Sequence, residues 1–122
     1  MEWLFRTDAP LYTQLCEQIT LAIVSGQFGA GERLPPVREL AVDAGVNPNT
    51  VQRALSELER GGLVYSQRTV GRFVTEDAMR ITRERDRIAR VKAKEFLAAM
   101  GQLGYDEEQS MALLQKMRGE GE

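Results

Sequence analysis

Residues 47–53 share one kind of side-chain chemistry. Most of these positions carry an amide, a hydroxyl or a guanidinium group, namely Asn47, Asn49, Thr50, Gln52 and Arg53. Such groups form hydrogen bonds at neutral pH, and they suit the edges of nucleic-acid bases and phosphate oxygens. Catalysis fits less well, because the sequence has no histidine and therefore lacks the commonest general base. The run predicts a binding surface rather than an active site.

Basic residues are concentrated in the middle of the chain. The formal net charge of the whole sequence is −2, whereas nucleic-acid-binding proteins are more often basic overall. Residues 33–72 nevertheless carry six arginines against four acidic residues, and residues 80–94 carry seven basic residues against two acidic ones. Acidic residues outnumber basic ones in 1–32 and 95–122. A basic middle with acidic ends is expected if one face of the protein meets phosphate.

Apolar spacing and turn residues predict three helices in the first half of the chain. The first covers Leu11–Val24 and ends at a glycine-rich segment. The second covers about Pro36–Ala44. The third covers about Pro48–Arg60, with Asn47 as its N-cap and Pro48 at its first position. The polar run therefore lies at the start of a helix.

A β-hairpin is predicted directly after the third helix. Leu63–Tyr65 and Phe73–Val74 are short β-prone runs, and the polar segment Ser66–Arg72 between them forms the tip.

A long charged helix and a short final helix are predicted for the rest of the chain. The long helix covers Glu76–Leu103, and Asp106 with Gln109 three positions later forms a capping-box pattern before the last helix. The long helix carries an apolar seam made of Ile88, Ala89, Ala93, Phe96, Met100 and Leu103. The seam either packs on the head of its own chain, which is the part before the long helix, or faces the same seam of a second copy across a two-fold axis. We favour the dimer, because so long a helix would overhang so small a head.

The spacing of Ala41, Gly45 and Val51 fits a helix-turn-helix. Two helices that cross closely need a small residue at their contact, a residue that tolerates positive φ in the turn and an apolar anchor in the second helix. These three residues supply those features at offsets of four and ten. Because a hairpin follows, the pattern favours a winged helix over a plain helical hairpin.

Residues 10–75 resemble the GntR family of bacterial regulators. The matching segments are PLYTQ at 10–14, GERLPPVRELA at 31–41, GVNPNTV at 45–51, GLVY at 62–65 and GRFV at 71–74. The following residues, 76–117, resemble the short-tailed, YtrA-like branch, whose members carry two helices used for dimerisation. The resemblance implies a mainly α fold with a small β-hairpin. It divides the chain into a winged helix-turn-helix DNA-binding head, 1–75, and a helical dimerisation tail, 76–122.

The predicted DNA contacts combine side-chain chemistry with this resemblance. The third helix would offer its N-terminal end to the major groove, and Arg38 matches a family position that contacts DNA. The wing tip would present its arginines to the DNA backbone or the minor groove. The predicted DNA-binding residues are Arg38, Asn47, Asn49, Thr50, Gln52, Arg53, Arg68 and Arg72.

Simpler structural roles are open for several of these residues. Asn47 can serve only as a helix cap, and Arg53 or Arg60 can pair with Glu57 on the helix surface. The arginines of the wing tip can be solvated hairpin charges. The basic run at 80–94 can attract DNA at long range or form a solvated helix face.

Thr69 departs from the family pattern at the wing tip. Thr69 stands where the family wing often has glycine, and a β-branched residue resists positive φ, so we expect a wing tip of different shape.

Cys16 is the only cysteine, which excludes an intramolecular disulfide and a cysteine-cluster metal site. Its position in a helical pattern favours a small buried hydrophobe over an oxidant sensor.

The function predicted from these features is sequence-specific DNA binding by a transcription regulator. We expect a homodimeric repressor on a palindromic operator, with no enzymatic activity, cofactor or metal. The tail is too small to enclose a usual ligand pocket, so a small-molecule effector would bind at the head–tail junction or the dimer interface. The sequence has no apolar run long enough for a membrane span and no secretory pattern, and we expect a cytoplasmic protein.

The alternative function is that of a winged-helix adaptor that binds protein without binding DNA. Such an adaptor would need a hydrophobic outer face on the third helix. Asn49, Gln52, Arg53 and Glu57 make that face polar, which favours DNA.

Overall fold

The computed structural model describes residues 1–121, which form five helices and one two-stranded antiparallel sheet. The elements in chain order are α1 Leu11–Val24, α2 Val37–Ala44, α3 Pro48–Arg60, β1 Val64–Gln67, β2 Gly71–Val74, α4 Ala78–Gln102 and α5 Glu107–Glu120. The mainly α fold with a winged helix-turn-helix is confirmed. The chain divides into two compact units, Met1–Arg85 and the residues from Asp86 onward, with α4 contributing to both.

The core of the first unit is built on the apolar faces of α1 and α3. Leu15, Ile19 and Ile23 are buried on α1, and Val51 and Leu55 are buried on α3. These positions are four residues apart, as expected for a helix with one buried face. Since the apolar residues of α3 turn inward, its polar residues turn outward.

The turn between α2 and α3 takes the predicted form. Gly45 adopts a left-handed conformation with φ 70° and ψ 35°, and the Val46 N–H donates to the Ala41 carbonyl at 3.0 Å. Ala41 is buried, and its small side chain lets the helices approach. Pro36 is the N-cap of α2 rather than its first helical residue, so the prediction placed the start of α2 one residue too early.

The wing is longer than predicted and is joined to the loop before α2. Its register pairs Val64 with Val74 and Gln67 with Gly71. The Leu34 N–H donates to the Arg72 carbonyl at 2.8 Å, and an isolated bridge links Arg33 to Phe73. These bonds fix β2 against residues 31–34 on the side away from β1.

Thr69 does not avoid positive φ, contrary to the expectation from its β-branched side chain, whereas the expected difference in wing-tip shape from the family stays a prediction. Thr69 adopts φ 64°, and it is the only non-glycine residue among 1–121 with positive φ. The threonine therefore takes the left-handed conformation that suits glycine and retains the strain of its Cβ.

Side-chain caps set where α4 and α5 begin. Asp77 Oδ1 accepts hydrogen bonds from the backbone N–H groups of Met79 and Arg80 at 3.0 and 3.2 Å. The long helix thus starts two residues later than predicted, because Asp77 lies outside it as a cap. Asp106 and Gln109 form the predicted capping box at α5.

Candidate nucleic-acid interface

The N-terminal turn of α3 exposes the predicted polar run. Asn47 accepts a hydrogen bond from the Asn49 backbone N–H at 2.7 Å, and Pro48 occupies the first helical turn. The predicted cap is therefore present. Asn49 and Gln52 are exposed, and Thr50 is half-buried. Exposed amides at the start of a helix can reach acceptors and donors on a base edge.

Arg53 is stacked on an aromatic ring from α1. Its guanidinium carbon lies 3.6 Å from the centroid of the Tyr12 ring. The predicted alternative, an ion pair with Glu57, is made instead by Arg60. This is a cation–π contact, and the guanidinium keeps N–H donors that can bind an acceptor.

Arg72 is turned toward α3 rather than into solvent. Its side chain is 19% exposed, and it donates to Glu59 Oε1 at 3.5 Å and to Gln52 Oε1 at 3.4 Å. Ser66 Oγ donates to the same Glu59 oxygen at 2.7 Å. One side of the wing is therefore hydrogen-bonded to α3.

Besides Arg53, two predicted cations are exposed without an ionic partner among the described residues. Arg38 lies in the first turn of α2, and Arg68 lies at the wing tip. Neither forms an ion pair within residues 1–121. Unpaired exposed guanidinium groups of this kind can bind phosphate.

A cleft of about 510 Å³ separates the wing tip from the start of α2. Arg33, Arg68 and Arg72 contribute to its lining. A Cβ at Gly71 would lie 3.0 Å from Arg33 Nε, so a side chain there would displace this arginine. The cleft is basic and open to an anion.

Two arginines of the basic run hydrogen-bond to carbonyl groups in the first unit. Arg80 Nη2 donates to the Gly61 carbonyl at 2.9 Å, and Arg85 Nη1 donates to the Val24 carbonyl at 3.0 Å. These carbonyls lie at the ends of α3 and α1, where guanidinium groups complement the helix dipole. Arg80 and Arg85 therefore have structural partners, and the predicted interpretations of a solvated face or a DNA-attracting patch do not describe them fully.

The predicted dimerisation residues differ in exposure. Ala89 and Ala93 are exposed, and Ile88 is half-buried. Phe96 is 37% exposed and Leu103 is 73% exposed, whereas Met100 is buried. In α5, the exposed apolar side chains are Met111, Leu114 and Met117. The second unit thus has apolar side chains in contact with solvent on both of its helices.

Sequence reasoning missed Tyr12, Glu59 and Ser66 as parts of this surface. Glu59 lies seven residues after Gln52, which is two helical turns, and that spacing could have indicated a shared face. Neither the stack on Tyr12 nor the pairing with Ser66 has a local sequence signal.

An N-terminal segment that sequence reasoning did not assign lies on α1 and α2. The Trp3 indole N–H donates to Asp43 at 2.7 Å, and the Gln18 amide makes two hydrogen bonds with the Leu4 backbone. The Trp3 hydrogen bond lowers the pKa of Asp43, and the nearby N-terminal ammonium adds to this effect. The segment is thereby held against the head.

Cys16 is partly buried, with its thiol 3.4 Å from the Ala54 carbonyl. Burial raises the pKa of the Cys16 thiol, and the charges of Glu57 and Glu17 raise it further. A thiol with a raised pKa is a weak nucleophile, which agrees with the predicted packing role.

None of the helices formed by residues 1–121 has the length and hydropathy needed to span a bilayer.

Known proteins match this chain in sequence. Residues 11–74 match the family described as bacterial regulatory proteins, gntR family. The chain is 36% identical to the uncharacterized HTH-type transcriptional regulator YhcF of Bacillus subtilis over 88% of each protein. It is 40% identical to the HTH-type transcriptional repressor YtrA of the same organism, over 60% of this chain and 56% of YtrA.

Solved structures match the fold. A GntR family transcriptional regulator from Listeria monocytogenes is similar with a TM-score of 0.85 and 38% identity, covering 92% of this chain and 98% of that one. The DNA-binding domain of AraR in complex with operator ORX1 is similar with a TM-score of 0.57 and 31% identity, over 62% of this chain and 96% of that one. With its winged helix-turn-helix and these matches, the chain belongs to the GntR family of bacterial regulatory proteins.

Proposed function

We propose that the chain is a transcription repressor that binds a palindromic operator as a homodimer in the cytoplasm. The observation that carries the proposal is the outer face of α3, where Asn49, Gln52 and Arg53 are exposed above a fully apolar inner face. Exposed amides and a stacked guanidinium at the start of a helix are suited to the major groove. The AraR domain in complex with operator DNA, similar to this chain, supports the same use of the fold.

The proposed division of labour follows the sequence analysis. Residues 1–75 bind DNA and 76–122 dimerise. The proposed DNA contacts are Arg38, Asn47, Asn49, Thr50, Gln52, Arg53, Arg68 and Arg72. Asn47 both caps α3 and contacts the DNA. Arg72 contributes through its positive charge and through its hydrogen bond to Gln52.

Dimerisation is supported by apolar side chains that the second unit leaves in solvent. Phe96 on α4 and Leu103 directly after α4 are exposed, as are Met111 and Leu114 on α5. Covering them with a second copy would remove apolar area from water at roughly 25 cal/mol per Å². A two-fold dimer presents two α3 helices, and therefore predicts an inverted repeat in the operator.

Repression then follows from competition, since a dimer seated on a promoter excludes RNA polymerase. A small-molecule effector, where one acts, would bind at the junction of head and tail or between the two copies. The relatives of this chain are transcription regulators, and we propose no enzymatic activity.

DNA binding is tested by titrating the protein into fluorescent duplex DNA of random sequence. We expect the affinity to fall steeply between about 50 and 200 mM salt, because each phosphate contact releases counterions. Binding that is absent, or independent of salt, would contradict the proposal and favour a protein-binding adaptor.

Dimerisation is tested separately by sedimentation of Phe96→Glu. We expect a monomer, because the variant places a charge in the apolar seam. Val91→Glu is the matched control: Val91 is also exposed, but five residues place it about 140° from Phe96 around α4. A wild-type protein that sediments as a monomer would contradict the dimer.

A further inference from the structure

The amide oxygen of Gln52 is tied to the wing. Arg72 Nη1 donates a hydrogen bond to Gln52 Oε1 at 3.4 Å. A guanidinium group has donors and no acceptor, so the oxygen of the amide must face it, and not the nitrogen. The Gln52 side chain is exposed, and its NH₂ group donates no hydrogen bond to another residue within 1–121. Both amide hydrogens are therefore available to a ligand.

Glu59 and Ser66 hold Arg72 in this orientation. Arg72 Nε donates to Glu59 Oε1 at 3.5 Å, and Ser66 Oγ donates to the same oxygen at 2.7 Å. Ser66 and Arg72 are directly opposite each other in the β1–β2 register, so their side chains share one face of the wing. Glu59 Oε1 thus accepts a short hydrogen bond from Ser66 on β1 and a longer one from Arg72 on β2.

Arg72 spans two turns of one face of α3. Gln52 and Glu59 are seven residues apart and lie on the same side of the helix. Arg72 donates to both of them, and its side chain is only 19% exposed. The guanidinium is therefore less free to swing away than a solvated wing arginine such as Arg68, which is exposed.

This arrangement restricts what Gln52 can recognise. A glutamine that reads adenine uses both ends of its amide, since the oxygen accepts from N6 and the nitrogen donates to N7. Gln52 Oε1 retains a second lone pair, but its bond to Arg72 draws the oxygen toward the wing and leaves the NH₂ group as the end of the amide that can turn to a base. Donors suit the O6 and N7 acceptors of guanine and the O4 acceptor of thymine.

We infer that Arg72 and Glu59 are positioning residues that turn Gln52 into a hydrogen-bond donor, so that the protein selects guanine or thymine over adenine at the base pair under Gln52. This inference rests on the proposed function, because it requires α3 to lie against base edges. It can fail while the proposed function holds, because a protein that binds operator DNA could use the Gln52 amide in either orientation.

The base pair under Gln52 is located first. An operator selected from random duplexes is varied one base pair at a time, and wild-type affinity for the four bases at each position is compared with that of Gln52→Ala. The position whose preference disappears in Gln52→Ala is the Gln52 pair. We expect the wild type to prefer guanine or thymine to adenine there by roughly tenfold.

The positioning role is tested with Arg72→Met, which keeps side-chain length and removes every donor. We expect the preference against adenine at the Gln52 pair to be largely lost, since the freed amide can then pair with adenine through both ends. Arg68→Met is the matched control, because it removes the same charge from the same wing. It should weaken binding to all sequences alike and leave the preference unchanged.

A double variant separates positioning from an independent contact by Arg72. In a Gln52→Ala background, Arg72→Met should lower overall affinity but should not alter base preference further. Glu59→Gln should shift preference in the same direction as Arg72→Met, because it removes the charge that anchors Arg72. It also serves as the second variant if circular dichroism shows Arg72→Met to be unfolded.

The outcomes are distinct. A wild type without any sequence preference would contradict the proposed function itself. A wild type that binds its operator but prefers adenine at the Gln52 pair would overturn this inference alone. The inference would also be overturned if Gln52→Ala changed no base preference, or if folded Arg72→Met and Glu59→Gln kept the wild-type preference.

Discussion

The guanidinium carbon of Arg53 lies over the ring of Tyr12, 3.6 Å from the ring centroid. The two residues belong to α3 and α1, which form the core of the first unit. The stack limits the orientations of Arg53 before any ligand arrives. A guanidinium that is already oriented loses less conformational entropy when it binds an acceptor.

Removing the Tyr12 ring should weaken DNA binding. A cation–π contact at an exposed site contributes roughly 0.5–1 kcal/mol, so Tyr12→Ala should reduce operator affinity about two- to fivefold. Tyr12→Phe keeps the ring and should bind as the wild type does. The measurement is fluorescence anisotropy, with thermal unfolding to check that both variants are folded. Equal losses in the two variants would show that the hydroxyl group matters and the stack does not.

Substitutions should separate the capping role of Asn47 from its proposed contact with DNA. Asn47→Ala removes the 2.7 Å hydrogen bond to the Asn49 N–H and should lower the free energy of unfolding by about 1 kcal/mol. Asn47→Asp keeps the cap and should retain wild-type stability. Its negative charge beside phosphate should nevertheless weaken DNA binding. If Asn47→Asp binds DNA with wild-type affinity, Asn47 is only a cap.

Thr69 should be a point of strain in the wing. A non-glycine residue with φ 64° is disfavoured by the contact of its Cβ with the backbone. Thr69→Gly should raise the free energy of unfolding by up to about 1 kcal/mol, after allowance for the larger entropy of glycine in the unfolded chain. Thr69→Ala retains Cβ and is the control, which should not show this gain. Denaturant unfolding of the three proteins gives the comparison, and a less stable Thr69→Gly would contradict the account.

Acid should release the contact between Trp3 and Asp43. The hydrogen bond from the indole N–H holds the pKa of Asp43 below its ordinary value, and the N-terminal ammonium contributes. A carboxylate with a lowered pKa adds stability above its unfolded-state pKa of about 3.9 and loses it as the pH falls through the folded value.

The fluorescence of Trp3, the only tryptophan, reports this transition directly. Its midpoint in a pH titration should lie below about 4, and Asp43→Asn should abolish the transition. A midpoint above that value, or the same transition in Asp43→Asn, would show that Asp43 is not the group that titrates.

The helices could be predicted because their signals are local. Asn47 and Pro48 mark the start of α3, Gly45 marks the turn, and the capping box of Asp106 and Gln109 marks α5. Each signal lies within a few residues of the feature it determines. The prediction starts α4 two residues too early, because Asp77 caps the helix from outside it.

The contacts of the binding surface could not be predicted in the same way. Tyr12 and Arg53 are 41 positions apart, and only the packing of α1 on α3 brings them together. The orientation of Arg72 depends on the strand register and on the face of α3 that meets the wing. Residue types therefore identified candidate contacts, whereas their hydrogen-bonding partners required the tertiary structure.

In the proposed dimer, two copies of α3 read DNA from their exposed polar faces. The most direct test is selection of bound duplexes from a random-sequence library with the purified full chain, followed by sequencing. The account predicts enrichment of an inverted repeat with half-sites separated by about one helical turn of DNA or a multiple of it. This enrichment should be lost in the double variant Asn49→Ala with Arg53→Ala. Failure to enrich any sequence, or equal enrichment by the double variant, would contradict it.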